Sequence, residues 1–292
     1  YQVVFFILNH VKRYRELFYY VIIRFFMIVA IIQARYSSTR LPGKILMEIN
    51  DKSILDYVIN QVQHSKKIDK IVVASPKKTQ DDLVVNSINS SNVEVFRGSE
   101  NDVLDRYYQC AKNCNANVIV RITSDCPLID PTLIDRCILE FQNSDYDYIS
   151  NVNKLEKTSW IYHLNGFPLG FAVEVFTFDA LERSWNNAKK PSEREHVTQY
   201  IPNNPKLFKI GSIENFNDFS DIHLAIDHQA DFDLVKLVIE HFPDGEIYNL
   251  EKIISFFEDN PHLKLINSHI PFDEGYTKSL EEDKIAEKNH SD

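Results

Sequence analysis

Three fixed positive charges lie close together in the segment QARYSSTRLPGK, residues 33–44, directly after the apolar run MIVAII. Arg35 and Arg40 can each present a planar guanidinium to phosphate oxygens, and Lys44 adds a compact point charge on a flexible stem. Hydroxyl groups between the two arginines can donate further hydrogen bonds, namely those of Ser38 and Thr39. These residue types favour the binding of a polyphosphate.

The rest of the chain is acidic, so this positive charge is local. The 292 residues carry a formal net charge of -10 and 44% hydrophobic content, which is an ordinary globular composition and argues against a nucleic-acid-coating protein. The loop matches neither the P-loop pattern G-x-x-x-x-G-K-S/T nor the dinucleotide pattern G-x-G-x-x-G. A small anion is therefore the expected ligand, with a solvated basic loop as the alternative.

Carboxylates that suit a metal ion follow two predicted strands far from this loop. Asp125 and Asp130 lie in TSDCPLIDP after the run NVIVRI, and Asp227 ends the run LAID. A hard divalent cation that bridges phosphates takes oxygen ligands of this kind. A lone aspartate at a strand end is more often a helix N-cap, which is the alternative for each of them.

Strand and helix patterns alternate from residue 27 onward, and the apolar residues of the helices recur at three- and four-residue spacing. Such alternation predicts an α/β, Rossmann-like fold with a mostly parallel sheet flanked by helices. Ligands of such sheets bind at the carboxyl ends of the strands, where the basic loop and Asp125 both lie. The predicted strands are 27–33, 70–75, VEVFR and NVIVRI, and the predicted helices are SILDYVINQVQHSK with Ser53 as N-cap, a stretch near 80–90, and DVLDRYYQCAKNC.

The pattern loosens beyond about residue 145 but still predicts one α/β domain, 27–280, with a hairpin lobe. SEREHVTQYI is predicted as a helix in which Ser192 is the N-cap and Glu195 completes a capping box. The other predicted elements are the strand DYDYISNV, an extended or hairpin-like stretch KTSWIYHLNGFPLGFAVEVF that ends in a strand, the helix FDALERSWNNA, the strand DIHLAID and the helix QADFDLVKLVIEHF.

The two ends of the chain are expected to lie outside this domain. Residues 1–26 are predicted to be an N-terminal extension, non-native or disordered, with an interfacial amphipathic anchor and an added helix as alternatives. The apolar stretch 17–32 is interrupted by Arg24 and is shorter than a spanning helix needs, so no stable membrane span is expected. Residues 281–292 are charged and poor in apolar side chains, which predicts a fraying tail.

The cysteines show no C-x-x-C pair and no spacing typical of a disulfide scaffold. We therefore predict reduced, buried thiols and a cytoplasmic protein. The four residues concerned are Cys110, Cys114, Cys126 and Cys137.

Seven segments together resemble one family. They are MIVAIIQARYSSTRLPGKIL, ENDVLDRYY, VIVRITSDCPLIDP, EVFTFDALERSW, SEREHVTQYI, LAIDHQADFDLV and EGYTKSL. In this order they resemble the sugar-acid cytidylyltransferases of the spore-coat polysaccharide biosynthesis protein F type, which are related to the 3-deoxy-manno-octulosonate and acylneuraminate cytidylyltransferases. The resemblance runs from Met27 to about Leu280, and residues 1–26 have no place in it.

The resemblance implies a nucleotide-diphosphosugar-transferase fold in which CTP and a sugar acid give a CMP-sugar and pyrophosphate, with Mg²⁺ as cofactor. It places the catalytic role on Arg35, Lys44, Asp125 and Asp227, of which the two aspartates would bind the metal. It implies nucleotide binding by Ala34, Arg35, Ser38, Thr39, Arg40, Lys44, Arg121, Thr123 and Ser124. It implies an acceptor side of Glu174, Arg194, Glu195 and His196, where His196 is either a proton acceptor or structural.

Alternatives to this function stay open at this point. One is a uridylyl- or guanylyltransferase that acts on a sugar phosphate, and another is a non-catalytic nucleotide-binding relative. The resemblance also implies a homodimer, formed through the hairpin at 150–175. From the sequence, Lys44→Ala is expected to weaken the use of CTP without unfolding the protein.

Overall fold

The structure is a computed structural model that describes residues 26–88, 90–152, 165–272 and 274–289. Residues 1–25 and the segment 153–164 of the hairpin lobe lie outside the described residues, so the predictions for the extension and the lobe stay predictions. Within the described ranges, no helix is both long enough and apolar enough to cross a membrane.

The elements follow the alternation that the sequence indicates. Strands and helices of the first half are β1 (Ile28–Gln33), β2 (Glu48–Ile49), β3 (Lys52–Ser53), α1 (Ile54–Gln63), β4 (Lys70–Pro76), α2 (Asp82–Ser87), β5 (Val93–Gly98), α3 (Val103–Asn113), β6 (Val118–Thr123) and α4 (Pro131–Gln142). Those of the second half are β7 (Tyr148–Ser150), β8 (Glu174–Thr177), α5 (Phe178–Asn187), α6 (Pro191–Glu195), α7 (Tyr200–Asn203), β9 (Ile210–Ser212), α8 (Gln229–His241), α9 (Leu250–Asp259) and α10 (Glu274–Asn289).

One seven-stranded sheet organises the described part of the chain, in the order β5-β4-β1-β6-β8-β7-β9. The first four of these strands are parallel, β8 is antiparallel to both β6 and β7, and β9 pairs with β7 in parallel. The predicted mostly parallel α/β sheet is therefore confirmed. The carboxyl ends of β1 and β6, at Gln33 and Thr123, pair directly and bring the basic loop and Asp125 to one edge.

Successive residues of the central strands point to opposite faces of the sheet, and each face is covered by helices. Ala30 and Ile32 of β1 belong to a core with α1, α4, α8 and α9, while Val29 and Ile31 belong to a second core with α3 and α5. These four side chains are fully buried, which explains why β1 is almost entirely apolar. The double-sided packing fixes where the strand ends lie.

Capping residues set the starts of two helices that flank the site. Ser53 caps α1 and exchanges hydrogen bonds with Asp56, as the sequence predicts for the N-cap. Asp130 caps α4, where its carboxylate accepts from the backbone N–H of Thr132 at 2.6 Å. For Asp130 the N-cap interpretation is therefore the correct one. All four cysteines are buried free thiols, as predicted.

Two predicted elements are wrong. The helix in SEREHVTQYI is capped by Lys190 rather than Ser192 and ends at Glu195, because Val197 adopts a left-handed φ of 60° that a helix cannot contain. DIHLAID is not a strand: its only ladder contact among the described residues is a bridge from His223 to Leu169. Its backbone instead bonds to loops, as in the hydrogen bond from Ile226 N–H to the Asp125 carbonyl at 2.9 Å.

The C-terminal segment differs from the expected fraying tail. The structure places residues 281–289 in the second half of α10, so the expected boundary at 280 falls inside one helix. Asp283 of α10 is buried against α6. Its carboxylate accepts hydrogen bonds from Ser192 N–H at 2.8 Å and from Ser192 Oγ at 2.6 Å. A charged residue with a buried partner therefore anchors a stretch whose composition is typical of disorder.

We predict that Gly170→Ala lowers the free energy of unfolding by about 2–4 kcal/mol, measured by chemical denaturation. Gly170 has a φ of 102°, and an added Cβ would lie 2.8 Å from the Leu224 carbonyl carbon, in the segment that leads to Asp227. Gly245→Ala is the matched control, because Gly245 has a φ of 79° but nothing within 4 Å of an added Cβ. A loss for Gly170→Ala no larger than for Gly245→Ala would contradict the steric argument.

Candidate active site

The basic loop after β1 is shaped by a turn that only glycine adopts without strain. Gly43 has a φ of 71° and its N–H donates to the Tyr36 carbonyl at 3.1 Å, which closes the loop. The Tyr36 N–H donates in turn to the buried Asp81 carboxylate at 2.7 Å. Residues Lys44–Leu46 then form a 3₁₀ turn that directs Lys44 inward.

Lys44 joins the carboxylates that the sequence places far apart. Its Nζ donates to Asp125 Oδ2 at 2.9 Å, to Asp227 Oδ1 at 2.8 Å and to the Ile226 carbonyl at 2.6 Å. The lysine is only 9% exposed, whereas the two carboxylate side chains keep 25% and 23% exposure. The structure thus brings Lys44, Asp125 and Asp227 together at the carboxyl ends of β1 and β6.

These contacts fix the charge states at the centre of the site. Burial acts to raise the pKa of Asp125, but the Lys44 ammonium and the hydrogen bonds from Lys44 and Thr123 outweigh it and lower that pKa to about 2. Burial acts to lower the pKa of Lys44, but the Asp125 and Asp227 carboxylates outweigh it and raise that pKa. Around neutral pH, Asp125 is therefore anionic and Lys44 cationic.

The donor set at this position suits Mg²⁺. Oxygens of Asp125 and Asp227 converge on a single cation, the Lys44 ammonium, so their geometry already favours a shared positive charge. Among the described residues, no group of three or more His, Cys, Asp or Glu side chains could hold a metal ion. Mg²⁺ commonly binds through one or two carboxylates plus waters and substrate phosphates. The two carboxylates present therefore fit a magnesium ion that takes its other ligands from outside the protein.

Arg40 extends the cluster toward the C-terminal helix. Its Nη2 lies 2.6 Å from Asp227 Oδ1, and its Nη1 lies 3.3 Å from Glu274 Oε2. His228 Nε2 donates to the same Glu274 oxygen at 2.7 Å. The sequence does not predict His228 or Glu274 as site residues. His228 adjoins Asp227 in sequence, but no sequence signal relates Glu274 to a loop 234 residues away.

Asp231 holds the backbone of the Asp227 segment. Its Oδ2 accepts from the N–H groups of Asp227 at 2.9 Å and His228 at 2.8 Å, at the start of α8. Its Oδ1 accepts from the buried Asn267 at 2.8 Å. Asp231 is fully buried, so this network fixes where the Asp227 carboxylate points.

The other predicted loop residues lie around the same edge. Arg35 Nη2 contacts Glu195 Oε1 at 3.2 Å, which joins the basic loop to the predicted acceptor side. Ala34 is buried and donates its N–H to the Ala74 carbonyl at 3.1 Å. The remaining members stand where β1 and β6 end: Ser38 accepts weakly from Leu41 N–H, Thr39 is exposed, Thr123 contacts Cys126, and Ser124 donates its N–H to the Gln33 carbonyl.

Glu174 is the centre of a second, buried cluster. It forms an ion pair with Arg121 across the antiparallel strands β6 and β8, and its side chain is only 4% exposed. Its Oε1 also accepts from Tyr148 Oη and from Thr198 Oγ1, both at 2.6 Å. The structure thus pairs a predicted nucleotide-binding residue with a predicted acceptor residue. Tyr148 and Thr198 escape prediction because their own segments carry no motif for such a cluster.

Arg194 and His196 face other parts of the protein than their neighbour Glu195. Arg194 Nε lies 3.0 Å from Asp102 Oδ2, and Nη1 donates to the Trp185 carbonyl at 2.8 Å, so this side chain ties α6 to the start of α3. His196 Nε2 contacts Ser279 Oγ at 2.9 Å on α10. Of the acceptor-side predictions, Glu195 contacts the basic loop, through Arg35.

The fold and this edge of the sheet can be compared with known proteins. A profile of the cytidylyltransferase family matches residues 29–267, which include all of the sheet but its first residue and every residue predicted for the site. The chain is therefore a nucleotidyltransferase enzyme. The family to which it belongs is that of the cytidylyltransferases.

Two members of related families are similar to this chain. The chain is 33% identical over 243 residues to the spore coat polysaccharide biosynthesis protein SpsF of Bacillus subtilis, with 80% of this chain and 95% of that protein covered. It is 29% identical over 182 residues to the 3-deoxy-manno-octulosonate cytidylyltransferase of Geobacter sulfurreducens, with 56% and 68% covered.

A solved structure supports the same assignment. The cytidylyltransferase of Leptospira borgpetersenii is 32% identical, with a TM-score of 0.74 over 82% of this chain and 96% of that chain. The resemblance to sugar-acid cytidylyltransferases that the sequence motifs carry is therefore confirmed at the level of the family.

Proposed function

We propose that this enzyme transfers CMP from CTP to a sugar acid of the octulosonate or nonulosonate type and releases pyrophosphate, in the biosynthesis of a surface polysaccharide or glycan. The observation that carries the proposal is the convergence of Lys44, Asp125 and Asp227, with Arg40 bonded to Asp227. Cations and carboxylates in contact at one strand edge suit a metal-bound triphosphate. The names of the SpsF and octulosonate relatives support the sugar-acid class.

The reaction exchanges one P–O bond for another and releases a proton. The sugar hydroxyl oxygen attacks the α-phosphorus of CTP in line, the bond from that phosphorus to the oxygen bridging to the β-phosphorus breaks, and the hydroxyl proton passes to solvent water. Arg35, Arg40 and Lys44 bind the triphosphate and stabilise the charge on the departing pyrophosphate. Asp125 and Asp227 would hold Mg²⁺, which when bound offsets negative charge on the phosphoryl oxygens.

Around these groups, other residues orient the two substrates. Arg121, Thr123 and Ser124 are proposed to lie near the cytidine. Glu195 is proposed to contact the sugar acid and, through its ion pair with Arg35, to position that acceptor beside the basic loop. His196 Nε2 contacts Ser279 Oγ, and the role of His196 as a proton acceptor stays a hypothesis. A homodimer and a cytoplasmic location stay predictions.

The test is pyrophosphate release with CTP and Mg²⁺ against a panel of octulosonates and nonulosonates. We expect release with at least one sugar acid, and much slower release when UTP, GTP or ATP replaces CTP. Release with another nucleotide and a sugar phosphate would favour the uridylyl- or guanylyltransferase alternative. Absence of release with every acceptor would refute the proposed reaction.

A further inference from the structure

The C-terminal helix α10 lies beyond the part of the chain that the family profile matches, yet it contacts the site. The matched region ends at residue 267, and α10 begins at Glu274. Its Glu274 contacts Arg40 and His228, and its Ser279 contacts His196. The motif EGYTKSL at its start is therefore part of the site, although the proposed reaction assigns it no role.

The middle and the end of α10 are fixed to α6. Asp283 and Ser192 are 6% and 2% exposed and share two hydrogen bonds. One turn earlier, Ser279 is 5% exposed and its Oγ lies 2.9 Å from His196 Nε2. The ring of Tyr276 also packs edge-on against His196, with centroids 5.3 Å apart. These contacts hold the helix from Tyr276, its third residue, onward.

The first residue of α10 is held differently. Glu274 keeps 35% of its side chain exposed, and both of its partners, Arg40 at 29% and His228 at 31%, are also partly exposed. The hydrogen bond from His228 lowers the pKa of Glu274, so the side chain is a carboxylate around neutral pH. Ion pairs between partly exposed side chains contribute little net stability in proteins generally. The contact is therefore easily exchanged for a stronger anion.

Arg40 is the residue at which a phosphate could replace the Glu274 carboxylate. Its guanidinium is shared between Asp227 at 2.6 Å and Glu274 at 3.3 Å, so one of its two outer nitrogens faces a carboxylate of α10. A phosphate group would use the planar fork of this guanidinium in a bidentate manner. The Glu274 carboxylate and a phosphate therefore compete for the same donor, and His228 faces the same position.

We propose that Glu274 is a displaceable internal anion, whose carboxylate positions Arg40 and His228 until the triphosphate of the substrate replaces it. His228 then becomes a further phosphate-binding residue. The Glu274 side chain turns away while the contacts of Tyr276, Ser279 and Asp283 retain the helix. This inference rests on the proposed function only in that the ligand carries a triphosphate.

The test compares Glu274→Gln with Glu287→Gln, which removes one carboxylate from the opposite end of the same helix. Glu287 pairs with Lys190 at 2.9 Å on the surface, near the end of α10 that is far from Glu274. Binding of inorganic tripolyphosphate and of CTP is measured by calorimetry in Mg²⁺. We expect Glu274→Gln to tighten the binding of both ligands about three- to tenfold and Glu287→Gln to leave it unchanged.

The outcomes separate this inference from the proposed function. Unchanged or weaker binding by Glu274→Gln would overturn the inference. If the wild-type protein binds tripolyphosphate but not CTP, the cytidylyl function fails while the tightening by Glu274→Gln still supports the inference. If the wild-type protein binds neither ligand, both are refuted. Thermal melts of both variants confirm that they are folded.

Discussion

Replacing Asp227 by asparagine is expected to lower the rate of pyrophosphate release by about a thousandfold or more, which corresponds to about 4 kcal/mol of transition-state stabilisation. One oxygen of this carboxylate, Oδ1, lies 2.8 Å from Lys44 Nζ and 2.6 Å from Arg40 Nη2. In the proposed reaction the carboxylate also holds Mg²⁺. An amide keeps the shape but lacks the charge that both roles require. Turnover is measured at saturating CTP and Mg²⁺.

Asp233→Asn is the matched control for this variant. Asp233 lies on α8, is exposed, and accepts a hydrogen bond from Gln229 at 2.8 Å. The control is expected to retain wild-type turnover, and thermal melts show whether both proteins are folded. A rate for Asp227→Asn within tenfold of the wild type would remove Asp227 from the catalytic group.

The second large effect concerns stability rather than turnover. Lys44→Met keeps an apolar stem but removes the ammonium, which leaves Asp125 and Asp227 facing each other without their shared cation. We expect a loss of about 2–4 kcal/mol in the free energy of unfolding, somewhat below the usual figure for a fully buried pair because both carboxylates are partly exposed. From the sequence, the replacement of Lys44 is expected to weaken the use of CTP without unfolding the protein, and the contacts of Lys44 add a loss of stability to that expectation.

Two further measurements identify the cause of that loss. Millimolar MgCl₂ is expected to raise the melting temperature of Lys44→Met more than that of the wild type, since a divalent cation can take the place of the ammonium. Lys52→Met removes an exposed ion pair with Asp244 and serves as the control, with little expected change in either measurement. A melting temperature of Lys44→Met equal to that of the wild type would show that the lysine does not stabilise the fold.

The same variant changes the response of stability to acid. Because the pKa of Asp125 is lowered in the folded protein, its contribution is present at neutral pH and is lost as the pH falls from the ordinary carboxyl range toward about 2. Removing Lys44 removes the main cause of the lowered pKa. Over that pH range, Lys44→Met is therefore expected to lose less stability than the wild type does.

The sheet could be predicted from the sequence because its determinants are local. Apolar residues that alternate between two covered faces define β1, and Ser53 marks the start of α1. Because the carboxyl ends of parallel strands lie at one edge of a sheet, the amino-acid pattern predicts that the basic loop and Asp125 lie at the same edge. That β1 and β6 are neighbours in the sheet is a finding of the structure.

The contacts across the site could not be predicted in the same way. The segment before Asp227 has the apolar alternation of a strand, but its backbone partners are loop groups such as the Asp125 carbonyl, and sequence periodicity does not encode these. Arg194 is a sequence neighbour of Glu195, yet the turn at Val197 and the end of α6 direct the two side chains to different partners. Glu274 reaches Arg40 from a helix that Asp283 anchors to α6, and this long-range contact likewise has no local sequence pattern.

The distance along the chain between Arg40 and Glu274 bears on how the protein is made. The two residues are 234 positions apart, so Glu274 is synthesised long after Arg40. At a ribosomal rate of roughly 5–20 residues per second, the interval is about 10–50 seconds. During that time the nascent sheet can form while Arg40 lacks its C-terminal partner. The emerging polypeptide can therefore present its basic loop to cellular nucleotides before translation has produced the helix that contacts it.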